Sequence, residues 1–158
     1  MVSRPLPAPT LGAPGKARLR LWIRMLRVTR QLDGEIRERL RREFNATLPR
    51  FDVMAALYRA SEGMLMSEVS RFLMVSNGNV TGIVGRLAGD GLVIRAQRGD
   101  DRRTSIVRLT EKGRDRFEEM AAAHESWIDE LLGAMTPEEA EQLSARLSMF
   151  RSDWEGVA

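Results

Sequence analysis

Residues 67–110 constrain the fold of this 158-residue chain more than any other stretch. Val69, Phe72 and Leu73 set apolar groups on one side of a first short helix. Val80, Ile83, Val84 and Leu87 do the same for a second, at steps of three and four residues. Met74, Val75 and Ser76 form a short connection, and the Ser76 hydroxyl is placed to cap the second helix. Residues 92–98 and 104–110 are β-prone runs separated by a turn signal, Gly99-Asp100-Asp101. Helix, turn, helix and an arginine-tipped ribbon make a shape suited to gripping DNA.

The second helix carries an unusual pattern. At 100° per residue its four apolar residues face the core, so the opposite face falls on Gly78, Gly82, Gly85 and Gly89. Each glycine inside a helix costs about 1 kcal/mol relative to alanine. One reason to carry four is close approach, since a helix without side chains can sink deep into a major groove. The other reading is that a well-packed helix tolerates them. Readout then falls to Asn77, Asn79, Thr81 and Arg86, flanked by Ser76. Asparagine pairs with adenine, arginine with guanine, and threonine with a thymine methyl or a phosphate. Asn79 and Arg86 serve equally well as phosphate-positioning groups. Arg95, Arg98, Arg102 and Arg103 cluster around the ribbon turn as a second cationic contact.

The succession from Ser67 through Asp101-x-Arg103 to Leu109-Thr110-Glu111-Lys112-Gly113 resembles the winged helix-turn-helix of the MarR family of bacterial transcription regulators. The resemblance covers roughly residues 17 to 155. The chain departs from the pattern at Met74, where helix-turn-helix proteins often place glycine, and in its glycine-rich second helix. The resemblance implies a mainly α fold with a small β-wing, a winged helix-turn-helix core (45–110) flanked by dimerisation helices (16–44 and 111–158). It implies that Arg103 enters the minor groove, with Asp101 orienting Arg86 or Arg103 rather than touching DNA, because a carboxylate repels phosphate. The expected DNA-contacting set is Ser76, Asn77, Asn79, Thr81, Arg86, Arg98, Asp101, Arg102 and Arg103.

Charge is distributed to match. Residues 16–43 hold ten basic against four acidic side chains, residues 45–110 nine against six, and residues 111–158 five against twelve. A basic front and an acidic back turn one side of the molecule towards a polyanion. Of the 25 basic residues 23 are arginine, the better fork for phosphate and guanine, although an arginine-rich coding bias explains that preference equally well.

Residues 1–15 hold four prolines without a continuous apolar core, which reads as a disordered Pro-rich arm and not a signal peptide. Residues 16–158 read as a single MarR-like domain. No apolar run approaches the eighteen or so residues of a membrane span, and a cytoplasmic location is expected. The chain has no cysteine, which fits a reducing compartment and removes thiol-based peroxide sensing. A lone histidine without cysteines cannot assemble an ordinary structural zinc site, so no metal or cofactor is expected. Neither a phosphate-binding Gly-Lys-Ser/Thr loop nor a nucleophile elbow is present, and an enzyme is not expected.

Long amphipathic helices complete the chain. Met25, Val28, Leu32, Ile36, Leu40 and Phe44 form a stripe at its start, widened by Trp22 and Leu26. Pro49 opens a helix with Phe51, Met54, Leu57 and Tyr58 on its apolar face, ended by Ser61-Glu62-Gly63. Phe117, Met120, His124, Trp127, Ile128 and Leu131 line another helix, and Ala140, Leu143, Leu147, Phe150 and Trp154 a last one that starts at the capping sequence Thr136-Pro137-Glu138-Glu139. So many apolar stripes around one small core are best satisfied by a twin, giving a C2 homodimer. Met54, Tyr58 and His124 are either core residues or the lining of an effector pocket.

By resemblance, the protein is expected to be a dimeric repressor that binds a pseudo-palindromic operator in double-stranded DNA. A small anionic effector, such as an aromatic carboxylate or its coenzyme A thioester, would release it. Activation by the same chain and non-specific architectural DNA binding are the alternatives.

Overall fold

A computed structural model describes residues 12–98 and 101–150, apart from the side chains of residues 13 and 97–105. The long first helix, α1 (Ala13–Phe44), starts before the expected residue 16, because Pro14 fits the first turn, where no backbone N–H is needed. It ends on Asn45 in the left-handed conformation. Then follow α2 (Leu48–Arg59), a two-residue strand β1 (Met64–Leu65), α3 (Met66–Leu73) and α4 (Asn77–Gly89). The hairpin β2 (Val93–Arg98) and β3 (Asp101–Leu109) leads into α5 (Glu111–Leu131) and α6 (Pro137–Ser148).

The core is the seam between the head and the second half of α1. Ile36 and Leu40 of α1 meet Phe51, Met54 and Leu57 of α2, Val80, Val84 and Leu87 of α4, and Phe117 and Met120 of α5. The expected stripe on α1 is therefore buried only at its C-terminal end, while Trp22 and Val28 stay about half exposed. No residue of α6 is buried, Leu143 and Leu147 face outward, and the helix ends at Ser148, short of the expected Phe150, which is exposed in the turn that follows.

The first helix of the motif corrects the expected pattern. Phe72 is exposed, and Ser70 is turned inward instead, its hydroxyl donating to the Val75 carbonyl at 2.5 Å. The line through Met66, Val69, Ser70 and Leu73 faces the core, and Phe72 lies about 100° away from it. The ribbon also has a third strand. β1 pairs antiparallel with β3, placing Met64 opposite Val107 and Leu65 opposite Ile106, so the sheet order is β1-β3-β2. Two residues are too few to show alternation, which is why the run did not read as a strand.

Met74 holds φ +53, and its amide and that of Val75 close the end of α3 on Arg71 and Ser70. That is the six-to-one closure in which glycine usually supplies the left-handed residue. Methionine pays a steric cost of roughly 1 kcal/mol there, and at 93% exposure its side chain recovers nothing from packing. Met74→Gly is accordingly expected to raise stability by up to about 1 kcal/mol in urea denaturation. Met74→Ala, which keeps the strain, is expected to leave it unchanged; equal melting of all three proteins would refute the strain account.

Candidate nucleic-acid interface

Ser76 caps α4 as expected, its Oγ accepting from the Asn79 amide at 3.4 Å. Val80, Ile83, Val84 and Leu87 are buried, so the glycine face is presented to the exterior. An added Cβ would meet nothing within 4 Å at Gly78, Gly85 or Gly89, and at Gly82 only the Nη1 of Arg86 at 3.9 Å. No intramolecular close approach accounts for these glycines. The Thr81 hydroxyl donates to the Asn77 carbonyl at 2.8 Å, so its donor is satisfied within the helix. Asn77, Asn79, Thr81 and Arg86 are all exposed on this helix.

In the wing, the β2–β3 register slips between Gln97, paired with Ser105, and Arg98, paired with Asp101. Arg102, Arg103 and Thr104 fall between those two pairs, so β3 leaves regular pairing there. Asp101, expected in the turn, is the first residue of β3. The side chains of Arg98, Asp101, Arg102 and Arg103 lie outside the described part, as do Gly99, Asp100 and Trp154.

The motif Leu109-Thr110-Glu111-Lys112-Gly113 is a joint. Thr110 caps α5, its Oγ1 accepting from the Gly113 amide at 2.9 Å and donating to the Gly91 carbonyl at 2.7 Å. Lys112 Nζ donates to the Asp90 carbonyl at 2.9 Å, and the Asp90 carboxylate pairs with Arg50 of α2. Gly113 is packed so tightly that a Cβ would lie 1.9 Å from the Leu92 carbonyl oxygen. The end of the reading helix is thereby tied to both α2 and α5. The motif is legible in the sequence, but this mechanical role is not, and neither are Arg50 and Asp90, which stand forty residues apart.

The expected effector residues separate. Met54 is 1% exposed inside the closed core, so the core reading is the one its burial supports. Tyr58 and His124 end an aromatic row, Tyr58–Phe117 at 4.8 Å, Phe117–Phe51 at 5.4 Å and Phe51–His124 at 4.9 Å between ring centroids. Tyr58 donates to Glu118 Oε1 at 2.9 Å, and this bond raises the phenol's pKa. Burial pushes the His124 pKa down, so its imidazole favours the neutral form. Nearby on α2, burial and then the Asp33 carboxylate raise the pKa of Asp52. A different opening, of about 810 Å³, lies beside the joint, walled by Phe44, Arg50, Asp90, Leu92 and Arg116. None of the three expected residues lines it. Its arginines are engaged, Arg50 by Asp90 and Arg116 by Glu119 and the Phe44 carbonyl.

A sequence profile of the MarR family matches residues 45–104, the span from the end of α1 into the wing. The HTH-type transcriptional regulator YkoM of Bacillus subtilis is 32% identical over 111 residues, covering 70% of each chain. The chain belongs to the MarR family. The transcriptional activatory protein BadR of Rhodopseudomonas palustris is 36% identical over 90 residues, 55% of this chain and 51% of that one. A MarR family transcriptional regulator from Silicibacter pomeroyi superposes with a TM-score of 0.75 at 31% identity, over 90% of this chain and 99% of that one. Membership makes this chain a DNA-binding transcription regulator with a winged helix fold, not an enzyme. Among the described residues no helix is long and apolar enough to cross a membrane.

Proposed function

We propose that this MarR-family regulator is a cytoplasmic homodimer that represses transcription from a pseudo-palindromic operator and is released by a small anionic effector. The observation that carries the DNA reading is the α4 surface. It is an exposed helix face cleared of side chains at four positions and bordered by Asn77, Asn79, Thr81 and Arg86. In this reading Ser76 and these four residues meet the major groove. Arg98, Arg102 and Arg103, with Asp101 as an orienting group, meet backbone and minor groove. Two such heads would address successive major grooves about one helical turn apart.

Dimerisation is supported by the apolar surface that α1 and α6 leave uncovered, including Trp22, Leu143 and Leu147. The single domain would begin with α1 at Ala13, not at residue 16. Tyr58 or His124, at opposite ends of the aromatic row, would border the effector, with carboxylate or phosphate taken by arginines of α1 such as Arg24, Arg27 and Arg30, whereas Arg37 is paired with Asp33 at 2.9 Å. Effector binding would favour a head spacing that no longer matches DNA. BadR's activating role supports a second reading, in which the same operator binding activates.

The test is fluorescence anisotropy with the duplex upstream of the protein's own gene against a scrambled duplex, at several salt concentrations. A preference of about a thousandfold supports specific regulation. Arg103→Ala is expected to weaken binding to the specific duplex at least about tenfold. Near-equal affinity for both duplexes would replace the proposal with an architectural role.

A further inference from the structure

The structure places one long side chain on the glycine face of α4. Taking the centre of that face as the direction opposite Val80, Ile83, Val84 and Leu87, the Arg86 Cα stands about 70° to one side. Its guanidinium does not continue outward. Nη1 lies 3.9 Å from where a Gly82 Cβ would be, so the side chain bends back by one turn, towards the centre of the face. Helical side chains lean towards the N-terminus in this way. No described residue takes this guanidinium as a partner, whereas Arg50 and Arg116 beside the head are held in ion pairs. Thr81, about as far off centre on the other side, has its hydroxyl satisfied by its own helix.

From this geometry we infer that Arg86 is the guanine reader of each half-site, and that Gly82 is its seat. The inference rests on the proposed DNA reading and decides between the two roles open to Arg86. Phosphates line the rims of the major groove, while guanine O6 and N7 lie at its floor. A guanidinium on the flank of α4 would meet a rim. One lying over Gly82, with no Cβ at positions 78, 82, 85 or 89 to hold the backbone away, is carried to the floor. There its two parallel N–H groups match the paired acceptors of one guanine, a planar fit that a lysine ammonium, a compact point charge on a flexible stem, meets less well.

The test uses full-length protein and a duplex selected by it from a random library. Affinities are measured by anisotropy across a salt series on that duplex and on variants in which each G·C pair is replaced by A·T. Wild type is expected to lose about 10- to 100-fold when one particular G·C pair in a half-site is replaced. Arg86→Ala is expected to show a loss of that size on the selected duplex and no further loss on that one variant. Its salt slope should stay as in wild type. Arg86→Lys, which keeps the charge but not the planar fork, is expected to keep only part of that discrimination.

A uniform loss for Arg86→Ala across all duplexes, with the salt slope reduced by about one, would overturn the inference in favour of a phosphate contact. Wild type binding every duplex alike would instead overturn the sequence-specific reading on which the inference depends. Circular dichroism melts separate these outcomes from misfolding, and Arg86 is exposed and unpaired among the described residues, so both variants are expected to melt like wild type.

Discussion

Gly113→Ala is expected to destabilise the protein by about 3 kcal/mol or more, the upper range for forcing atoms into a packed site. The new Cβ would lie 1.9 Å from the Leu92 carbonyl oxygen and 2.8 Å from its carbonyl carbon. Both are backbone atoms, so no rotamer change relieves the clash. Leu92 cannot retreat without loss either, because its amide donates to Leu87 and its carbonyl accepts from Thr110, at 2.9 and 3.1 Å. The reading helix, β2 and α5 would separate at their shared point. Urea denaturation followed by circular dichroism measures this, and Gly133→Ala, whose nearest contact would be 3.2 Å, is the milder comparison. A Gly113→Ala midpoint close to wild type would show that the joint is not rigid.

The second large effect has the opposite sign for stability. Gly82→Ala and Gly85→Ala place methyl groups in open space or ordinary contact, so each is expected to gain about 1 kcal/mol from helix propensity, and the pair about 2 kcal/mol. If the bare face exists to let α4 approach the groove floor, the same pair is expected to lose at least about tenfold in affinity for specific DNA. A more stable protein with undiminished binding would return these glycines to the tolerated class. Stability and binding moving in opposite directions is the pattern of a surface held back from its most stable sequence by function.

The helix-turn-helix was legible because its signals are local. Apolar steps of three and four residues, Ser76 before α4 and the Thr136–Glu139 capping pair each act within one or two helical turns. Met74 was legible as a departure, and φ +53 supplies its physical meaning. Phe72 misled because hydrophobicity alone does not choose between two neighbouring faces of an eight-residue helix. The buried serine took the inner face through a hydrogen bond to a carbonyl five residues on.

Local periodicity and capping chemistry in the chain were thus enough to determine a winged helix-turn-helix between long amphipathic helices, and the residue types on its reading helix. Only the tertiary structure decided what holds that helix in place and where its arginine lies. The Arg50–Asp90 pair spans 40 residues, the Arg39–Glu130 clamp between α1 and α5 at 2.7 Å spans 91, and the contact of Gly113 with Leu92 joins α5 to the residue just before β2. Such contacts leave no period in a sequence, since they depend on elements that become neighbours only once the core has packed.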